Sequence, residues 1–184
     1  DRLVDEMLTY ARLEQGSPAL NFQRIDLDAL VDQVIEELAP LRAEVTVQRG
    51  LCLSAADNDD AWVEAEPRYL HRALQNLVAN AMDALSKLQP RHPGITIELQ
   101  QQAKDGKNWV VLQIQDNGPG LPDELLQQLA GPAASSKAQG SGLGLLLTQS
   151  MIRLWGGHTS MRNTSPPKGA GALIELWLRP SQNQ

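Results

Sequence analysis

The sequence predicts an α+β or α/β two-layer sandwich, and three observations carry that prediction. Stretches with apolar residues at helical spacing (about 25–41, 67–89 and 142–155) alternate with short runs of period two. Two of those runs are joined by a glycine-containing loop of hairpin length. The composition is 42% hydrophobic and 21% charged, which is that of a globular domain with a core to bury.

Each element can be justified in order. Residues 1–16 look like the end of an amphipathic helix, with Leu3, Met7, Tyr10 and Ala11 at helical spacing. Gly16, Ser17 and Pro18 stop it and mark the best candidate boundary. "IDLDALVDQVIEELAPL" (25–41) reads as a second amphipathic helix, with Asp26 as its N-cap and Leu30, Val34 and Leu38 on one face. "EVTVQR" (44–49) and "AWVEA" (61–65) read as strands, with "NDD" (58–60) as a turn between them. A long helix starts at Pro67, a favoured first-turn residue, and runs to about Gln89. "ITIEL" (95–99) and "WVVLQIQD" (109–116) alternate as strands, and "KDGKN" (104–108) connects them as a hairpin loop. The chain closes with a helix over about 142–155, a strand near 158–163 and a strand at 172–178.

Composition also excludes function classes. One cysteine, Cys52, rules out an internal disulfide framework, and three scattered histidines assemble no zinc-ligand spacing. A net charge of −6 argues against a nucleic-acid footprint. It also means that an anionic ligand must be held by local donors. No apolar run approaches the roughly 20 residues of a membrane span. The first residues are charged and periodic, unlike a signal peptide, so the chain is expected to be a piece of a longer protein.

Three segments carry chemistry. In the long helix, Leu70, Leu74, Leu77, Ala81 and Leu85 form an apolar stripe, and Asn76, Asn80, Asp83 and Lys87 form a polar stripe opposite. A solvated face is the plain reading. Yet asparagine is a mediocre helix former, and two amide oxygens one turn apart can serve a hard cation. "QIQDNGPGLP" (113–122) holds Asp116 at a strand end beside Gly118 and Gly120, where a ligand can approach the backbone. The alternative is an ordinary Asp-Asn-Gly turn. A carboxylate so placed accepts a hydrogen bond from an exocyclic amine such as that of adenine. In "GSGLGLLLTQSMIRLW", Gly140, Gly142 and Gly144 alternate just before an apolar helix, whose free N–H groups and dipole favour an anion. The spacing is neither that of a P-loop nor that of a dinucleotide fingerprint, and a flexible hinge stays open as an alternative.

In order, "QNLVANAMDAL", "DNGPG", a short polar lid and "GSGLGL" resemble the catalytic, ATP-binding domain of bacterial sensor histidine kinases. These sit in the wider ATPase group that includes heat-shock chaperones, type II topoisomerases and mismatch-repair ATPases. The resemblance implies a Bergerat-type ATP-binding fold, with a mixed, mostly antiparallel sheet packed on three helices. It divides the chain into the end of a dimerisation helix (1–16), a linker (17–24), the catalytic domain (25–180) and a tail (181–184). It implies ATP and Mg²⁺ as ligands. Asn80 matches the asparagine that coordinates Mg²⁺, and Asn76 the one nearest the phosphates, with Asp83 and Lys87 on the same stripe. Asp116 matches the aspartate that reads the adenine amine, and Gly118 and Gly120 the glycines beneath the nucleotide. Gly140, Gly142, Leu143 and Gly144 match the phosphate-facing glycine box. Lys137 matches a lid lysine that approaches the terminal phosphate, and Lys87 is a weaker second candidate for that role.

The implied activity is transfer of the ATP γ-phosphoryl to a histidine on an upstream dimerisation helix, then to an aspartate of a response-regulator receiver domain. The full protein is expected to be a homodimer. This portion is expected in the cytoplasm, compatible with membrane anchoring of the whole. Where related kinases carry a phenylalanine-rich stretch before the lid, this chain reads "AGPAASSK" (130–137), with alanine for every aromatic. None of His71, His92 and His158 lies in the context of a phosphoacceptor. Three alternatives follow: a nucleotide-binding module without catalysis, an ATP-hydrolysing protein of the same fold, and an anti-sigma-type serine kinase. The "MLTYARLEQG" lead-in disfavours the last, and Asn76 disfavours hydrolysis, since an amide cannot act as a general base.

Overall fold

The computed structural model describes residues 21–41, 45–52, 61–88, 92–130, 143–165 and 171–181. Its elements are β1 (Gln23–Asp26), α1 (Leu27–Leu38) with a 3-10 turn at Ala39–Leu41, β2 (Thr46–Cys52), β3 (Trp62–Ala65), α2 (Pro67–Leu88), β4 (Gly94–Lys104) and β5 (Lys107–Asp116). They continue with α3 (Asp123–Ala130), α4 (Leu143–Leu154), β6 (His158–Thr164) and β7 (Gly171–Leu178). Five strands form one sheet in the order β2-β4-β5-β7-β6, and β1 and β3 form a separate two-stranded ribbon.

The helices expected over about 25–41, 67–89 and 142–155 are present, while the one expected over residues 1–16 lies outside the described residues; the starts of the first two have local causes. Asp26 caps α1: its Oδ1 accepts from the Asp28 and Ala29 amides at 3.1 and 3.2 Å. Ile25 therefore lies before the cap, in β1, and not in the helix as the periodicity suggests. Glu66 caps α2 in the same way, its Oε2 accepting from the Tyr69 amide at 2.9 Å. The helices bury one stripe each, as amphipathic helices do. Leu27, Val31, Val34 and Leu38 from α1 and Leu70, Leu74, Leu77, Ala81 and Leu85 from α2 enter the core. They meet Ile95, Ile97, Leu99, Leu112, Ile114 and Leu176 from the inner face of the sheet. A short fourth helix, α3, was not marked by periodicity: it spans eight residues and buries only Leu129.

Strand pairing departs from the hairpin reading. β2 and β3 are not neighbours. β3 pairs antiparallel with β1, while β2 runs parallel to β4, Val47 opposite Ile95 and Leu51 opposite Leu99. The helix α2 lies between β2 and β4 in sequence, and a parallel pair needs such a crossover. The expected turn at 58–60 lies outside the described residues. The β4–β5 loop is tighter than the five residues "KDGKN": Lys104 already pairs with Lys107, leaving Asp105 and Gly106 at φ +52° and +71°. Two positive φ values make a type I′ turn, whose twist suits a hairpin.

β5 is also more buried than strict alternation predicts. Val110 and Val111 are both inaccessible. Val111 belongs to a second cluster, with Trp109 and Trp177, on the face of the sheet away from the helices. His158 completes it: its ring stacks on Trp177 at 4.8 Å and meets Trp109 edge-on at 5.0 Å. His158 is thus a packing residue of the sheet.

Candidate functional site

Two glycine segments approach the helix α2, Gly144 at Asn76 and Gly118 at Ala84 two turns further on. Asn76 lies in the middle of α2 and is only 7% exposed, so the asparagine stripe is not a solvated face at that position. It packs against the first turn of α4. A Cβ on Gly144 would lie 1.9 Å from Asn76 Nδ2, so that glycine is required by the close approach of the amide. Thr148 is buried and its hydroxyl donates to the Gly144 carbonyl at 2.9 Å, fixing the start of α4. One turn along α2, Asn80 Nδ2 is buried without a hydrogen-bond partner. An unsatisfied amide there is costly unless a ligand engages it.

Asp83 and Lys87 follow on the exposed part of the stripe. They pair with each other at 2.7 Å, so Lys87 is engaged within its own helix rather than extended as a free cation. Lys137, Gly140 and Gly142 lie outside the described residues, as does the lid from Gly131 to Gln139. Leu143 opens α4, but its side chain is likewise not described. The flanks of that segment are joined: Gln149 Nε2 on α4 donates to the Leu129 carbonyl on α3 at 2.9 Å.

Asp116 ends β5 and is 7% exposed. Its Oδ1 accepts from the Gly118 amide at 2.8 Å and the Ala172 amide at 3.3 Å. Burial raises its carboxyl above the usual range, and these two backbone donors oppose the rise. A carboxylate has two acceptor oxygens, and both bonds use the same one, which keeps acceptor capacity for a ligand amine. Gly118 carries no Cβ because one would meet Asp116 Oδ1 at 2.9 Å, with Ala84 of α2 at 3.6 Å. The loop is therefore pressed against both the carboxylate and the asparagine helix. Gly120 takes φ +85°. Asn117 pins the loop to the start of β4, its Oδ1 accepting from Gly94 N–H at 2.9 Å and its Nδ2 donating to the His92 carbonyl at 2.7 Å.

Sequence reasoning missed the far wall of this end. Thr164, Gly171 and Ala172 come from β6 and β7. Gly171 passes so close that a Cβ would fall 1.8 Å from the Asp116 carbonyl. No motif marked them, because their role depends on strand pairing. A cavity of about 320 Å³ opens nearby, lined by Thr46, Gln48, Thr96, Gln115, Asp116 and Asn117 among others. It shares Asp116 with the residues above, but none of Asn76, Asn80 or Gly144 lines it.

A buried asparagine amide, a glycine at a helix start and a strand-end carboxylate under a glycine loop supply the kinds of group that an amine-bearing, anionic ligand can use. The sequence model of one family, described as "Histidine kinase-, DNA gyrase B-, and HSP90-like ATPase", matches residues 65–182. The chain belongs to that ATPase family. Its similar sequences include the C4-dicarboxylate transport sensor protein DctB of Pseudomonas aeruginosa, 28% identical over 97% of this chain and 27% of the relative. The sensor histidine kinase ZraS of Klebsiella oxytoca is 31% identical over 97% of this chain and 35% of the relative. The chain thus spans about a third or less of these relatives. Among solved structures, the Acinetobacter baumannii histidine kinase AdeS matches at TM-score 0.69 and 20% identity, covering 98% of this chain and 78% of that one. Full-length ShkA in complex with AMPPNP matches at TM-score 0.68 and 23% identity, covering 98% of this chain and 36% of that one. The fold is that of histidine kinase catalytic domains. Among the described residues, no helix is long and apolar enough to cross a membrane.

Proposed function

We propose that this ATPase-family chain is the ATP-binding, phosphoryl-donating part of a sensor histidine kinase. The observation that carries the reading is the buried Asn76 amide packed against Gly144, with Gly118 of the Asp116 loop packed on Ala84 two turns along the same helix. Catalysis of phosphoryl transfer is mostly positioning and charge stabilisation, and this cleft is built from fixed groups. An amide at position 76 cannot draw a proton from water, which suits transfer to a protein acceptor better than hydrolysis. Asp116 would accept from the adenine amine, with Gly118 and Gly120 beneath the base. Gly140, Gly142, Leu143 and Gly144 would face the phosphates at the helix start, and Lys137 would approach the terminal one. Asn80 would hold Mg²⁺ through its amide oxygen, since a hard cation takes few protein oxygens, while its buried and unpartnered Nδ2, a donor, would serve a ligand oxygen. Such an ion neutralises charge on the phosphate oxygens.

Residues 1–16 would be the end of a dimerisation helix, 17–24 a linker, 25–180 the catalytic domain and 181–184 a tail. The acceptor histidine would lie on dimerisation helices of the same homodimeric protein, and the phosphate would pass to a receiver-domain aspartate. His71 is followed by Arg72 and not by an acidic residue, and it pairs with Glu37 at 2.9 Å between α1 and α2. The test is incubation with labelled ATP. This chain should bind nucleotide and gain no acid-labile phosphate, whereas a chain extended upstream to a His-Glu or His-Asp helix should gain it. Acid-labile phosphohistidine on the present chain would refute the reading. The aromatic-free "AGPAASSK" favours a second reading, a nucleotide-binding module without transfer. Tight nucleotide binding with no labelling of the extended chain would establish it.

A further inference from the structure

We propose that Asn163 is the positioning residue that fixes the Gly118–Leu121 turn of the nucleotide cleft, a role that rests on the nucleotide reading of that cleft. The turn contains two glycines, which lose more conformational freedom on ordering than any other residue, so it needs an external restraint. Asn163 supplies one from β6. Its Oδ1 accepts from the Leu121 amide at 2.7 Å, and its Nδ2 donates to the Leu121 carbonyl at 2.9 Å. The two groups of one side-chain amide thereby satisfy both backbone groups of one residue, as a pairing strand would. Gly120 lies directly over this amide: a Cβ there would meet Asn163 Oδ1 at 2.7 Å.

The restraint closes a ring. Asn163 stands opposite Ala172 in the β6–β7 register, and the Ala172 amide donates to Asp116 Oδ1. Asp116 in turn holds Gly118. The loop is therefore anchored at its start by Asp116 and Asn117 and at its end by Asn163. Asparagine fits this place because it offers a donor and an acceptor on a short stem; aspartate has the same shape but no donor.

The experiment uses the whole chain, ADP as the probe, and the variants Asn163→Ala and Asn163→Asp. Amide exchange is followed by NMR without nucleotide, and ADP affinity by calorimetry. Both variants should raise exchange at the Leu121 amide about ten-fold while core amides of α2 and β5 keep parental rates. Both should weaken ADP binding about five- to ten-fold, and the isosteric aspartate should do no better than alanine. Parental ADP affinity in either variant overturns the proposal, and so does exchange that rises equally throughout the domain. If the parent chain itself binds no ADP, the nucleotide reading fails first and this role fails with it.

Discussion

Gly144→Ala sets two effects against each other. Alanine is the better helix former by about 1 kcal/mol in a helix interior, so propensity alone predicts a gain. The contact predicts a loss. The new Cβ would sit 1.9 Å from Asn76 Nδ2, 2.6 Å from its Cγ and 2.7 Å from its Oδ1. The first value is about 1.6 Å short of ordinary contact. Asn76 is 7% exposed and lies in the middle of a 22-residue helix, so it cannot swing aside into solvent. Gly144 is the second residue of α4, where less than the interior propensity gain applies, and overpacking of this kind costs about 1–3 kcal/mol, so the loss wins. In a domain of this size each kcal/mol moves the melting midpoint by about 2–4 °C, so a fall of several degrees is expected. The assay is a thermal melt of four proteins: parent, Gly144→Ala, Asn76→Ala and the double variant. With the amide removed, adding the methyl should cost nothing or bring a small gain, giving strong coupling between the sites. A Gly144→Ala melt within about 1 °C of the parent would refute the steric reasoning, as would an equal loss in both backgrounds.

Asp116→Asn should abolish nucleotide binding while raising the melting midpoint of the free protein at neutral pH. The folded carboxyl is raised above its unfolded value of 3.8 by burial, so its contribution is favourable at low pH and is lost as pH rises through the folded value. The gain from the amide should therefore shrink as pH falls below 4, and a variant less stable at every pH contradicts the assignment. His158 is held below its ordinary 6.5 by burial, with Lys104 adding repulsion against Asp105 and Glu175. Its stability contribution is present above that ordinary value and is lost as pH falls through the lower folded one. His158→Phe should flatten the loss of stability in that acid range, read by tryptophan fluorescence; an unchanged acid profile removes His158 as the cause. Asp26→Ala should cost about 1 kcal/mol by uncapping α1, or about 2–4 °C, and a melt equal to the parent's would show that the cap contributes nothing.

Much of this was legible because it is local. The Asp26 cap, the Pro67 start and the Leu70–Leu74–Leu77–Ala81–Leu85 stripe depend on residues within a turn or two of each other. The Asp-Gly hairpin likewise depends only on which residues tolerate positive φ. α3 escaped because eight residues with one buried side chain give too little period to read. The site was legible only in part. Asn76 stood out because asparagine is an unfavourable choice inside a helix, whereas Asp116, Gly118, Gly120 and Gly144 are ordinary choices locally and stood out through the order of their motifs. Asn163 did not stand out, since an asparagine on an edge strand violates no local rule.

By itself, then, the sequence determined the periods, the caps and the order of three motifs, all set by neighbours along the chain. Only the tertiary structure decided which strands pair. It placed β2 parallel to β4 and β3 beside β1. Those choices follow from closing long loops and filling a shared core, and no local pattern records them. The same long-range packing buries Asn76 against Gly144, sets Ala172 on Asp116, and turns Asn163 toward Leu121 across 42 residues of chain.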